Sequence, residues 1–315
     1  MKTSQAQQKI LITGGSGYVG SILVSYLLKK GLSVRVIDIL PFTGPIPRQC
    51  KKKFEYIQND IRKIEPMLLK NIFAIIHLAA FSNETSSDKD PNETKKVNTL
   101  ATIALAQKAK ELNVKRFIFA SSSSLYDKGI DKEDGPKNEQ ESITPLGHYA
   151  TSKHNAEIKL LELADKNFCV VIFRKATVLG YSPNMRFDLV VNAMVRSVLK
   201  NGYIRVYCKG FQWRPLINID DVARAYYKTL TAPKQNIARQ IFNIGFGNFR
   251  VRDITSLVQE TMVKHFSIHP KIIFEQDDRK DRSYRIITTK AKNVLGFTPK
   301  ITIEETIIDL VKKLP

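Results

Sequence analysis

The chain reads as an α/β protein built on a doubly wound parallel sheet, with a smaller substrate-covering domain interleaved in its C-terminal part. Three observations carry this reading. Short apolar runs alternate with amphipathic stretches through the first half of the 315 residues, a glycine-rich turn joins the first run to the first amphipathic stretch, and the alternation breaks down after Lys175. Apolar runs of strand length separated by helices need crossover connections, and right-handed crossovers place helices on both faces of a parallel sheet.

In chain order, Lys9 to Thr13, Ser33 to Ile39, Phe54 to Gln58, Ile72 to Leu78, Phe117 to Ala120 and Cys169 to Lys175 have the length and near-continuous apolar character of buried strands. Tyr18 to Lys30 predicts a helix ending at Gly31, Pro91 to Leu112 a long helix and Tyr149 to Lys166 another, each with apolar residues three and four apart. Asp127 to Pro145 is polar enough to be a long loop. Beyond Lys175 come a loop containing Pro and Arg, a helix near Leu189 to Lys200, a basic aromatic stretch, and further elements without regular alternation.

Composition narrows the classes. With 43% hydrophobic and 9% aromatic residues the chain can bury a large core. Its longest apolar runs are too short to cross a bilayer and its first residues lack the apolar centre of a signal peptide, so a cytoplasmic location with no membrane partner is expected. Cys50, Cys169 and Cys208 lie far apart without CxxC spacing, so neither a disulfide framework nor a metal site is expected. The formal charge of +20 attracts phosphates and nucleic acid alike. Its Lys and Arg residues are scattered rather than clustered, which favours a lysine-rich surface over a nucleic-acid partner.

The first strand runs into TGGSGYVG, where Gly14, Gly17 and Gly20 form GxxGxxG directly ahead of a helix. Such a turn lets the backbone N–H groups of Ser16, Gly17, Tyr18 and Val19 approach a pyrophosphate at the positive end of the helix, and its last glycine lets helix and strand pack closely. Asp38 ends the second strand 18 residues after Gly20, where a carboxylate binds both adenosine ribose hydroxyls and repels a 2′-phosphate, favouring NAD over NADP. Further on, a serine-rich strand end, FASSSSLYD, is followed 27 residues after Ser122 by YATSK. Tyr149 and Lys153, at i and i+4, therefore share one helix face. A Tyr acting as a base near neutrality must fall from a reference pKa of about 10, which costs roughly 4 kcal/mol; a neighbouring ammonium and a cationic cofactor ring can supply it.

Taken together, these motifs strongly resemble the extended short-chain dehydrogenase/reductase family, specifically its NAD-dependent sugar-nucleotide epimerases and dehydratases, over nearly the whole chain. The resemblance implies a Rossmann domain formed by residues 1–175 and 216–244, with a substrate-binding domain formed by 176–215 and 245–315. It also places Asp60 and Ile61 beside the adenine, Leu78, Ala79 and Ala80 of HLAA along NAD, and Asn98 in a helix supporting the central sheet, also near the cofactor. His77 is read as structural. Tyr149 is implied as the base for the sugar 4-hydroxyl, Lys153 as the residue binding the nicotinamide ribose and lowering the Tyr pKa, and Ser122, four residues before Tyr126, as the partner of the same oxygen, with Ser124 in reserve.

Two departures from the family pattern bear on the reaction. Ser123 and Ser124 stand where dehydratases carry an Asp–Glu pair, which disfavours dehydration, and Asp127 replaces a glycine. On the substrate side the resemblance points to Asn192, Arg186 and Arg214 for the diphosphate, with Arg279 or Arg282 closing over it, because a guanidinium can engage two phosphate oxygens at once. Asp188 is an alternative partner for Arg186, and Asp220 or Asp221 reads as a helix cap. The expected activity is epimerisation of a nucleotide-diphosphate sugar at C4, by a homodimer joined through a four-helix bundle. A reductase or dehydrogenase using the same residues is the nearest rival. A non-catalytic RNA-binding member of the fold is a rival of another class.

Overall fold

The structure is a computed structural model and describes residues 9–129, 135–275 and 282–315. Seven strands form the main sheet: β1 (Lys9–Thr13), β2 (Ser33–Asp38), β3 (Phe54–Gln58), β4 (Ile72–His77), β5 (Arg116–Ser122), β6 (Cys169–Lys175) and, later in the chain, β10 (Gln240–Ile244). All neighbours pair in parallel, in the order β10-β6-β5-β4-β1-β2-β3. The chain winds outward from β1 in both directions, so strand order reverses between β1 and β4, where the ends of such a sheet leave a crevice.

Alternation along the strands builds a core on each face. Ile10, Ile12, Val34, Val36, Ile118, Val171 and Phe173 pack with α1 (Tyr18–Lys29) on one side. The intervening Leu11, Ile75, Phe117, Phe119, Val170 and Ile172 face the other. There, α2 (Glu84–Lys89) and α3 (Pro91–Thr94) lead through a π-helical stretch, Lys95–Ala101, into α4 (Thr102–Glu111), and α5 (Gly147–Leu163) lies alongside. The long helix expected over 91–112 is therefore interrupted. Its wide turn carries Asn98 and Thr99, whose side chains bond to Phe81 and to Ser152 of the neighbouring helix, a use of π-turns common at functional sites.

After β6 the chain makes β7 (Thr177–Leu179), α6 (Val190–Asn201), β8 (Tyr203–Val206) and β9 (Trp213–Asn218), then crosses back by α7 (Ile219–Thr231), which packs on α1, and α8 (Lys234–Ile237) to reach β10. The smaller unit is completed by β11 (Gly247–Arg250), α9 (Val251–Phe266), β12 (Lys271–Phe274), α10 (Thr289–Leu295) and α11 (Ile303–Lys313). Its sheets are β11-β9-β7 and β12-β8, and its core joins Val195 and Val198 of α6, Ile254 and Val258 of α9, and Ile307 and Leu310 of α11. Residues 216–218, assigned from sequence to the Rossmann portion, pair in the small sheet as the end of β9. The return to the main sheet begins with α7, where Asn218, rather than Asp220, caps the helix. Asp221 instead accepts the backbone N–H groups of Lys300 and Ile301.

Candidate active site

A cleft of about 850 Å³ opens at the C-terminal ends of the main strands, where the small unit overhangs them. The glycine turn forms its floor on one side. Gly14 has φ +74°, and a Cβ there would lie 2.5 Å from Ala79 N; a Cβ on Gly20 would overlap Gly14 O. Gly17 is different: a Cβ there would meet only Gly14 O, at 3.4 Å, so this position opens onto the cleft. Helix α1 starts at once, with no side-chain cap and no acidic residue in its first turn. Its positive end is thus available to an anion. Asp38, at the end of β2, accepts the backbone N–H of Ser16 at 2.8 Å and of Leu40 at 3.0 Å, which fixes the carboxylate at the cleft wall.

Gly14, Gly17, Tyr18, Val19, Gly20, Asp38, Asp60, Ile61, Leu78, Ala79 and Ala80 all line the cleft, as do Ser122, Ser124, Tyr149, Lys153, Arg186, Arg214 and Arg282. Three residues singled out from sequence do not. Ser16 is buried with its hydroxyl on Leu40 O. Asn98 is spent on clamping Phe81 and reaching Ser152. Asn192 accepts Gly180 N and donates to Tyr18 Oη and Arg186 O, tying the small unit to the glycine loop from behind the wall. In this structure the side chains of these three hold the wall together, and for Asn98 this agrees with the supporting place expected of it. Arg279 lies outside the described residues.

His77 is fully buried between two hydroxyls, Thr13 Oγ1 at 2.6 Å from Nδ1 and Thr102 Oγ1 at 2.8 Å from Nε2. Thr102 donates its own proton to Asn98 O, so it accepts from Nε2–H, and Nδ1 accepts from Thr13. Burial, reinforced by the Lys153 charge, holds the imidazole down at about 3, which keeps it neutral.

Ser122 and Ser124 share a 2.9 Å hydrogen bond at the end of β5. Tyr149 sits opposite; burial pushes its phenol up to about 12, while Arg186 and the hydrogen bond with Ser122 pull it back. Lys153 is 2% exposed, its Nζ 4.7 Å from the Phe119 ring centroid and 6.0 Å from that of Tyr149. Burial, then repulsion by Lys175, brings its amine down to about 7, against the pull of Glu157. Among the described residues nothing gathers the His, Cys, Asp or Glu side chains a metal would need.

Several contributors escaped the sequence reading. Glu84 of α2 accepts the backbone N–H groups of Tyr149 (2.9 Å) and Ala150 (3.1 Å), closing the first turn of α5 with a carboxylate from 65 residues away. Gly147, with φ +80°, makes room for it: a Cβ there would lie 2.5 Å from Glu84 Oε2. Lys175 lines the cleft from the end of β6. Below it, Arg174 and Glu157 form a fully buried ion pair. Of the residues that the sequence did single out, Arg186 makes the alternative pairing with Asp188, bidentate, and also reaches Ser82, and Arg282 lies 3.8 Å from Glu84.

A doubly wound sheet, a glycine turn at its switch point and a Ser, Tyr and Lys meeting across one cleft define a short-chain dehydrogenase/reductase. Residues 10–245 match the NAD dependent epimerase/dehydratase family, and the chain belongs to it. It is 28% identical over 315 residues to the UDP-glucuronate 4-epimerase of Thermodesulfobacterium geofontis, covering 94% of this chain and 92% of that one. It is 30% identical over 259 residues to the dTDP-D-glucose 4,6-dehydratase of Dictyostelium discoideum, covering 76% and 58% respectively. Among solved structures, MoeE5 in complex with UDP-glucuronic acid and NAD superimposes with a TM-score of 0.83 at 28% identity, covering 96% of this chain and 98% of that one. The protein is thus an enzyme of an NAD-dependent family whose members act on nucleotide sugars with differing outcomes.

Proposed function

We propose that the protein epimerises a nucleotide-diphosphate sugar at C4, and that the observation carrying this is the meeting of Tyr149, Ser122 and Lys153 at a cleft end where residues 123 and 124 are both serine. The residues present fit NAD. Tyr18 and Val19 offer backbone N–H groups at an uncapped helix end to its pyrophosphate, Gly17, whose own N–H is on Gly14 O, leaves room for it, Asp38 suits its adenosine ribose, Asp60 and Ile61 its adenine, and Lys153 its nicotinamide ribose. When bound, NAD supplies a reversible acceptor of the C4 hydride. Tyr149 takes the proton of the 4-hydroxyl, Ser122 hydrogen-bonds the same oxygen, and a charged Lys153 makes the phenolate attainable. The keto sugar then turns in the cleft, and Tyr149 returns the proton to O4 as the hydride would come back from the reduced cofactor to the other face of C4. Arg186, Arg214 and Arg282 provide charge for the sugar-linked diphosphate. No carboxylate stands at 123 or 124 to remove water across C5 and C6, which separates this reading from dehydration.

Dimerisation through the paired helices is part of this reading. Leu100, 51% exposed on the π-helical stretch, and Ile158, 43% exposed on α5, leave apolar side chains on the face a four-helix bundle covers.

The test is turnover of a nucleotide-sugar panel followed by NMR, with wild type and Tyr149→Phe and without added NAD. C4 inversion by wild type, lowered at least about a thousandfold in the variant, is expected. Products retaining the C4 configuration throughout would refute it.

A further inference from the structure

Lys175 is the last residue of β6 and the register partner of Ser122 on β5, so both side chains leave the same face of the sheet at the cleft. Its Nζ donates to Ser121 O at 3.2 Å, and among the described residues no carboxylate pairs with it. The neighbouring charges do not compensate it. Lys153 and Arg186 are cations, Asp188 is committed to Arg186 in a bidentate pair, and Glu157 is committed to Arg174. Lys175 is half-buried and lines the cleft, so an ammonium without an acidic partner leaves positive charge beside the Ser122–Tyr149 pair.

The dinucleotide pyrophosphate does not account for it. Lys175 stands three strands from the glycine turn in the order β1-β4-β5-β6, about 14 Å at the usual spacing of neighbouring strands. The charge lies instead where the reacting carbon's own neighbours must lie.

Building on the nucleotide-sugar reading, we propose that Lys175 is a specificity-determining residue that binds a carboxylate on the sugar, so that the substrate is a nucleotide-linked hexuronic acid. With O4 between Tyr149 and Ser122, the adjacent C5 bears the C6 carboxylate, and Lys175 is the cation next to Ser122 that has no acidic partner.

The test is calorimetric titration of the NAD-loaded protein with UDP-glucuronate and with UDP-glucose, using wild type, Lys175→Met and Lys175→Arg. Wild type is expected to bind the uronate tighter than the neutral sugar by about tenfold or more, the effect of a charge-assisted hydrogen bond in a desolvated site. Lys175→Met should erase this preference with UDP-glucose affinity retained, and Lys175→Arg should restore much of it. Equal affinities in wild type, or a Lys175→Met loss that is the same for both ligands, would overturn the proposal. C4 inversion is scored separately by NMR: lost preference with inversion intact sinks only the role of Lys175, whereas intact preference without inversion sinks only the epimerase reading.

Discussion

Replacing Arg174 by Met should cost the protein far more stability than removing Arg174 and Glu157 together. Arg174 Nη2 lies 2.6 Å from Glu157 Oε2, Nε lies 3.1 and 3.2 Å from the two carboxylate oxygens, and Nη1 donates to Tyr126 Oη at 2.8 Å. The two side chains are 4% and 2% exposed. Arg174→Met strands the carboxylate in an interior that cannot solvate it, for a loss of about 3–5 kcal/mol. Arg174→Met with Glu157→Met removes both charges and substitutes apolar volume, leaving mainly the lost Tyr126 contact, about 1 kcal/mol. Urea denaturation of wild type, both single variants and the double variant closes the cycle, and the coupling, the sum of the single losses less the double loss, should be at least about 2 kcal/mol. A double variant as unstable as Arg174→Met, or a single loss under about 1 kcal/mol, would refute the assignment of the pair as a mutually dependent buried unit.

Three further outcomes follow from the geometry of the site. His77 is held neutral with its pKa depressed to about 3, so its contribution to stability is fully present above the unfolded value near 6.5 and is lost as pH falls through that window. Stability should drop about 1.4 kcal/mol per pH unit below 6.5 beyond the loss shown by His77→Leu, and parallel pH profiles for the two proteins would contradict this. Asp38→Asn should weaken NAD and strengthen NADP, shifting the ratio of dissociation constants by about tenfold or more, because the charge opposing a 2′-phosphate is gone; a ratio unchanged in fluorescence titration would count against Asp38 as the ribose ligand. Gly20→Ala drives its Cβ onto Gly14 O and to 2.6 Å from Gly15 Cα. It should abolish NAD binding or lower the thermal midpoint by several degrees, a shift of about 2 kcal/mol or more, and a variant indistinguishable from wild type in both would show that the α1–β1 approach is not tight.

The parts of this protein that were readable in its sequence are those written in local periods. Near-continuous apolar runs gave the first six strands of the main sheet, since strands covered on both faces carry one pattern. The glycine turn and the YATSK spacing likewise declare themselves within a few residues. What could not be read depends on distant partners. Nothing near Glu84 shows that its carboxylate closes the helix of Tyr149; the only local trace is Gly147, whose positive φ and missing Cβ make sense once Glu84 is in place. The π-helical turn at Asn98 is set by Phe81 and Ser152, and β10 joins the sheet 65 residues after β6 ends. Lys175 went unremarked because a single lysine closing an apolar run looks like the strand's emergence into solvent, whereas the fold overhangs it with the small unit.

The electrostatics of the cleft bear directly on the proposed chemistry. Burial acts in opposite directions on the two groups that the proposed mechanism needs charged: Tyr149 rises to about 12 and Lys153 falls to about 7. Burial therefore works against the phenolate and against the ammonium alike. Lys153 is poised at the midpoint near neutral pH, and Lys175 weighs against its charge. An anion entering this end of the cleft offsets the repulsion among Lys153, Lys175 and Arg186 and raises both amines, and beside Tyr149 it raises the phenol as well, as Glu84 already does. A charged Lys153 at 6.0 Å from the Tyr149 ring then favours the phenolate by about 3 kcal/mol at an effective dielectric of 20. The Arg186 guanidinium, positive at every relevant pH, acts in the same sense. Positive charge held at this end of the cleft thus opposes the burial that raises the Tyr149 phenol, with Arg186 as its largest source.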